Sequence, residues 1–192
     1  ISGLIIFVLI IILCNVSQAT TYYVRTDSND ANCTGLVDLP YPGSGSNQPC
    51  AKKTIQVAVN VASCGDTVIV GNGIYNQVSN QPGGYLINVT KNCTAAASFT
   101  IRTANKWGAV LNAYPGRARE LIYITGSYIT VDGFKYQNFI AGVVNQALYL
   151  EGSHNLATNL YSSDNQYAGV KMSGSYNTLS NSYILHPQFG II

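Results

Sequence analysis

The sequence predicts an all-β chain wound as a parallel β-helix, with a single short helix near its front. Three observations predict it. A near-copy of one line, Gly126-Ser127, Gly152-Ser153 and Gly174-Ser175, recurs after 26 and then 22 residues. Strand-like runs inside the repeats put aliphatic residues on one face at matching places. One helical pattern is followed by nothing but short strands, which argues against alternating β and α units.

The front of the chain, "ISGLIIFVLIIILCNVSQATTYYV", carries an apolar run from Leu4 to Leu13 and a small-x-small triplet at Ser17, Gln18 and Ala19. That pattern reads as a secretory signal peptide over residues 1–19, cut after Ala19, with an uncleaved signal anchor as the alternative. The run is short for a membrane span, which needs about 20 apolar residues. With no initiator Met and no basic stretch before the run, this end reads as a fragment. Residues 20–192 are long enough for one domain with its own core. Charged residues make up only 9 %, the formal charge is +2, and the ten Lys and Arg are scattered. No electrostatic footprint for nucleic acid or an anionic membrane is visible.

Removing the leader removes Cys14 and leaves Cys33, Cys50, Cys64 and Cys93, an even number that in an exported chain favours disulfides. Four cysteines allow three connectivities. Cys33 with Cys50, closing the Gly/Pro/Ser-rich loop between them, and Cys64 with Cys93 are the favoured pairs. No C-x-x-C or His spacing supports a zinc site. Sequons at Asn32, Asn88 and Asn92 are about what chance supplies in a chain this rich in Asn, Ser and Thr.

Tyr22, Tyr23 and Val24 begin a first strand. Ile55, Ala58, Val59 and Ala62 then fall at i, i+3, i+4 and i+7, one amphipathic helix with Gly65 as its stop signal. "GDTVIV" returns to a strand with Val68 and Val70 on one face, and "GYLINVT", "SFTIRT" and "GAVLNAY" are three more strands bounded by turn residues.

From Leu121 the pattern is periodic. Aligning the Gly-Ser pairs brings Asp132, Asn159 and Asn181 into one column, Phe134, Tyr161 and Tyr183 into a second, and Ile140, Tyr167 and Phe189 into a third; extra residues near 143–147 absorb the longer interval. A repeat of this length cannot bury its own apolar face and must stack on its neighbours. The leucine-rich frame does not fit, and propeller blades need about 40 residues per repeat. A parallel β-helix remains, in which like side chains stack: rings on rings, and the Asp132/Asn159/Asn181 column as an amide ladder. Alternation points Ile122, Ile124, Leu148, Leu150, Val170 and Met172 inward. It points Tyr123 with Thr125, Tyr149 with Glu151, and Lys171 with Ser173 outward.

The residues "TYYV", the Gly/Ser/Asn loop and "PCAKKTIQVAVNVASCGDTVIVGNGIY" together resemble the start of right-handed parallel β-helix proteins of the pectate lyase-like superfamily. "SFTIRTANKWGAVLNA" and "ITGSYITVDGFKYQNF" are similar to early turns of alginate lyase, chondroitinase B and related pectate lyase types. The resemblance implies a right-handed coil whose helix caps the open end. It implies an extracellular polysaccharide as partner, acidic and cleaved by β-elimination, with a Lys or Arg as base and, in a full-length protein, Ca²⁺ on the uronate carboxylate. The motif strings of pectate lyases and polygalacturonases are absent, and Asp132, Glu151 and Asp164 stand apart. The end at "FGII" reads as entry into a further strand, so turns carrying catalytic groups are expected beyond it.

The candidate substrate-binding column is therefore Tyr123, Tyr149 and Lys171, with Glu151 beside the lysine; its rings can meet sugars and its lysine a uronate. The competing reading is that Tyr and Lys suit exposed strand positions and Glu151 screens Lys171. No catalytic residue is assigned and no metal ligand set is found. His154 and His186 fall in different columns and read as exposed turn residues, and Arg117 and Arg119 as a solvated loop. The rival to a lyase is a non-catalytic adhesin or glycan-binding solenoid on the same scaffold.

Overall fold

The strands are two to five residues long, too short to stand alone, so each is satisfied by the coil before and the coil after. The computed structural model describes residues 18–76, 84–113, 120–137, 146–162 and 169–184. The leader up to residue 17, Arg117, Arg119, Ile140, Asp164, Tyr167, His186, Phe189, most of the extra residues near 143–147 and the final "FGII" lie outside the described residues.

The chain opens with β1 (Thr21–Val24), α1 (Ile55–Val61), β2 (Thr67–Val70) and β3 (Gly73–Asn76). Four sets of three follow: β4 (Ile87–Val89), β5 (Phe99–Thr103) and β6 (Ala109–Asn112); β7 (Glu120–Ile124), β8 (Ile129–Asp132) and β9 (Lys135–Gln137); β10 (Gln146–Leu150), β11 (Leu156–Thr158) and β12 (Tyr161–Ser162); β13 (Val170–Met172), β14 (Thr178–Ser180) and β15 (Tyr183–Ile184). Every named pairing is parallel. The first sheet runs β1-β2-β5-β8-β11-β14, the second β4-β7-β10-β13 and the third β3-β6-β9-β12-β15. Each set visits the second, first and third sheet in turn, which is a parallel β-helix. The inward residues Ile122, Ile124, Leu148, Leu150 and Val170 are fully buried as alternation predicts, and Met172 is partly buried against the same core.

One end of the coil is closed by local chemistry. α1 buries Ile55, Ala58 and Val59, and ends at Val61, earlier than the Gly65 stop signal. Its first turn is capped from a distance: Asp30 Oδ1 accepts the Lys53 and Thr54 N–H groups at 2.7 and 2.9 Å, leaving Thr54 no side-chain capping role. Gln56 lies along the exposed edge of β4, accepting from Asn88 N at 2.6 Å and donating to Asn88 O at 3.1 Å. The edge of β1 is covered by the loop that Cys33–Cys50 closes and by the residues just after it, through Tyr23 N to Gly35 O and Lys52 N to Tyr23 O, both 2.8 Å. The second disulfide joins Cys64 to Cys93. Both favoured pairs form, and both lie at this end.

Two of the expected columns hold from Asn159 to Asn181 and from Tyr161 to Tyr183, but the first member of each is displaced by one residue. Lys135, not Phe134, lies opposite Tyr161, and Phe134 turns into the core beside Leu160. Asp132 lies opposite Thr158, so the turn column is Gly133, Asn159, Asn181. These three have φ of 84°, 53° and 47°, so glycine and asparagine recur there because they tolerate left-handed backbone. A single amide contact survives, Asn159 Nδ2 donating to Asp132 Oδ1 at 2.8 Å.

The amide ladder forms at the preceding corner instead. Asn155 Oδ1 accepts from Ile129 N at 2.8 Å and its Nδ2 donates to Gly126 O at 3.0 Å; Asn177 repeats both contacts one coil on, to Asn155 N at 2.9 Å and Gly152 O at 2.7 Å. The whole repeated line then has a cause. The glycine stands where a Cβ would run into the carbonyl oxygen of the coil below, at Gly126, Gly152 and Gly174 alike. The serine hydroxyl accepts the next coil's N–H, Ser153 to Ser127 and Ser175 to Ser153, each at 3.3 Å.

Candidate functional site

Strands β4, β7, β10 and β13 lie flat on one another, so residues in register must share a line on the outer face. That register sets Asn88, Tyr123, Tyr149 and Lys171 in one column. Tyr85 stacks on Tyr123 with centroids 4.7 Å apart, Tyr123 meets Tyr149 at 5.4 Å, and Lys171 Nζ lies 4.5 Å from the centre of the Tyr149 ring. The predicted residues therefore do come together. Tyr123 lies between Tyr85 and Tyr149, and Tyr149 between Tyr123 and Lys171, so these two rings do not offer free faces for sugar stacking.

Glu151 also departs from the expectation. It accepts a hydrogen bond from Tyr123 Oη, and no ion pair among the described residues joins it to Lys171. That bond, and to a lesser degree burial, holds the Tyr123 hydroxyl above the ordinary phenol range, so it stays protonated. Tyr149 Oη lies 3.0 Å from Ser173 Oγ. The lysine is held over a ring, where a cation–π contact leaves its charge unneutralised. The column thus offers one available cation, one carboxylate engaged by a phenol, and a row of aromatic edges.

Among the described residues no three His, Cys, Asp or Glu side chains converge as a metal site. Glu151 is engaged by Tyr123, and Asp132 faces out from the first sheet. These residues do not make a calcium site.

Two further outward rows of rings are present: the stacking of Tyr161 on Tyr183 follows the expected column, whereas the corner row was not legible as such. Tyr128, His154 and Tyr176 stack at 4.7 Å intervals, nearly parallel, in the Gly-Ser-aromatic corner. All three carry φ near +58°, an uncommon conformation for non-glycine residues, which ring stacking helps to offset. His154 is thus a ring in a column, and the recurrence of Gly-Ser-Tyr and Gly-Ser-His was the available signal. The other row, around Trp107 and Tyr161, lies on the third sheet. Among the described residues no helix is long and apolar enough to cross a membrane.

No family model and no curated protein matches this chain. Among solved structures it is similar to a rhamnogalacturonan lyase, with a TM-score of 0.62 and 22 % identity over 88 % of this chain and 43 % of the other. At that identity the likeness is one of fold, and this chain spans less than half the length of that enzyme.

Proposed function

We propose that this chain is a carbohydrate-active β-helix domain working outside the cell on an acidic polysaccharide, as part of a lyase that cleaves by β-elimination. The observation that carries the reading is the axial run Tyr85, Tyr123, Tyr149, Lys171 on an open sheet face. A polymer laid along the coil meets the same chemistry once per rise of about 4.8 Å. The fold shared with a polysaccharide lyase supports it, as do two disulfides, which persist in oxidising surroundings.

In this reading Lys171 pairs with a uronate carboxylate, while tyrosine edges and hydroxyls receive ring hydroxyls. Elimination removes the proton beside that carboxylate, breaks the glycosidic C4–O bond and leaves a 4,5-unsaturated sugar, the departing oxygen taking a proton. No described residue is assigned as the base. The lack of a carboxylate cluster among the described residues favours the second reading, a non-catalytic glycan-binding solenoid.

The full-length protein is incubated with pectate, alginate and chondroitin, with and without Ca²⁺, while ultraviolet absorbance of the unsaturated product is followed. A rise on one substrate supports the lyase. A flat trace on all three, with retained binding to any of them, leaves the binding solenoid in its place.

A further inference from the structure

On the third sheet, register places Val110, Lys135, Tyr161 and Tyr183 in one outward column. Trp107 leaves the corner before β6 with φ 65° and is laid across the neighbouring coils. Its N–H donates to Gly133 O at 2.6 Å and its indole Nε1 to Asn159 O at 2.8 Å. The indole meets Tyr161 at 4.9 Å, and Tyr161 stacks on Tyr183 at 5.3 Å. Trp107 and Tyr183 remain 38 % and 48 % exposed, an unusual amount of aromatic surface to leave in water on one face.

Two lysines attend this row. Lys106 Nζ lies 4.6 Å from the Trp107 ring centre and Lys135 Nζ 5.6 Å from that of Tyr161. Neither enters an ion pair among the described residues, where the ion pairs are those of Arg25. Both are held over rings, and no carboxylate among the described residues answers their charge. Beside them runs a parallel line of side-chain amides, Asn112 donating to Asn76 at 2.6 Å and Gln137 to Asn112 at 3.4 Å.

We propose that this outer face of the third sheet is a second binding surface, which takes an anionic polysaccharide strand laid along the coil axis. The lysines meet carboxylates, and the amides and phenol hydroxyls meet sugar hydroxyls at the spacing of the coils. Single-stranded nucleic acid is the other polyanion that cations and aromatic residues attract, but it needs open ring faces on which bases stack. Here Tyr161 is covered by Tyr183 stacked on it, by Trp107 tilted 50° against it and by Lys135, and Lys106 lies over the indole, so the row offers no succession of free parallel faces. The proposal rests on the carbohydrate reading for the class of polymer alone, since it uses a different sheet.

The test measures binding of polygalacturonate, its fully methyl-esterified form and a thymidine oligonucleotide to the full-length protein, by calorimetry at low salt. The double variant Lys106→Gln/Lys135→Gln is compared with Lys171→Gln, and thermal melts check that each is folded. The expected result is polygalacturonate binding that weakens at least tenfold in the double variant and is lost on esterification. Unchanged affinity in the folded double variant overturns the proposal, as does tighter binding of the oligonucleotide or no binding of polygalacturonate. A loss confined to Lys171→Gln also overturns it while leaving the second-sheet reading standing, and that reading is judged separately by the ultraviolet assay.

Discussion

Gln56 pairs with the backbone of Asn88 as a strand would, giving one acceptor and one donor to the edge of β4 at 2.6 and 3.1 Å. One side chain of α1 thus occupies hydrogen-bonding groups that would otherwise template pairing with another chain. Gln56→Leu keeps the size and removes both bonds. It should cost about 1–3 kcal/mol and raise the tendency to associate, read by thermal melts together with light scattering.

Gly152 sits beneath a wall of backbone: an added Cβ would meet the Gly126 carbonyl group and Thr125 O. Backbone cannot swing aside as a flexible side chain can. Gly152→Ala should destabilise by about 3 kcal/mol or more, at or above the upper end of overpacking costs, measured as a lowered denaturation midpoint.

Asn155 is 1 % exposed and serves two backbone groups of the preceding coil. Asn155→Ala leaves Ile129 N and Gly126 O without their partner, so a loss of about 2–6 kcal/mol is expected, at about 1–3 kcal/mol for each buried group stranded. Asn177 makes the same contacts from a half-buried position, and Asn177→Ala should cost less in the same unfolding assay.

Tyr136 is fully buried, and its hydroxyl has no hydrogen-bond partner among the described residues. Burial also holds that phenol above its ordinary range. Tyr136→Phe removes the unpaired group and keeps the ring, so stability should be unchanged or rise by up to about 1–3 kcal/mol. A clear loss would mean the hydroxyl has a partner.

Arg25 donates to both oxygens of Asp27, at 2.9 and 3.0 Å, and holds its carboxyl below the usual carboxylate range. A folded-state value under the unfolded one, about 3.9, means the contribution is present above that value and fades as pH falls through the folded one. The pair is largely exposed, which limits it to about 0.2–1 kcal/mol. Asp27→Asn should lower the melting temperature slightly near neutral pH, with the difference vanishing in acid.

Fold class was readable because stacking forces repetition onto the sequence. Each coil faces a near-copy of itself, so aliphatic residues at Ile122, Leu148 and Val170 recur in step, and alternation alone separates inside from outside. The outward column of Tyr123, Tyr149 and Lys171 followed from the same register. The two displaced columns show where that reasoning stops. Aligning Asp132 with Asn159 matched side-chain chemistry, whereas the turn requires a left-handed backbone, which Gly133 supplies in its own coil. The same alignment sets Phe134 with Tyr161 and Tyr183, though one residue of register carries it into the core.

The sequence by itself determined the solenoid, the direction of its side chains and the presence of a single short helix near its front, because these depend on period and on which residues water rejects. Only the tertiary structure decided that Glu151 answers Tyr123 and not Lys171, that Asn155 carries the amide ladder, and that Trp107 reaches across the coils to Asn159. Those contacts join residues 28, 26 and 52 positions apart, through directions and distances that no one-dimensional spacing encodes.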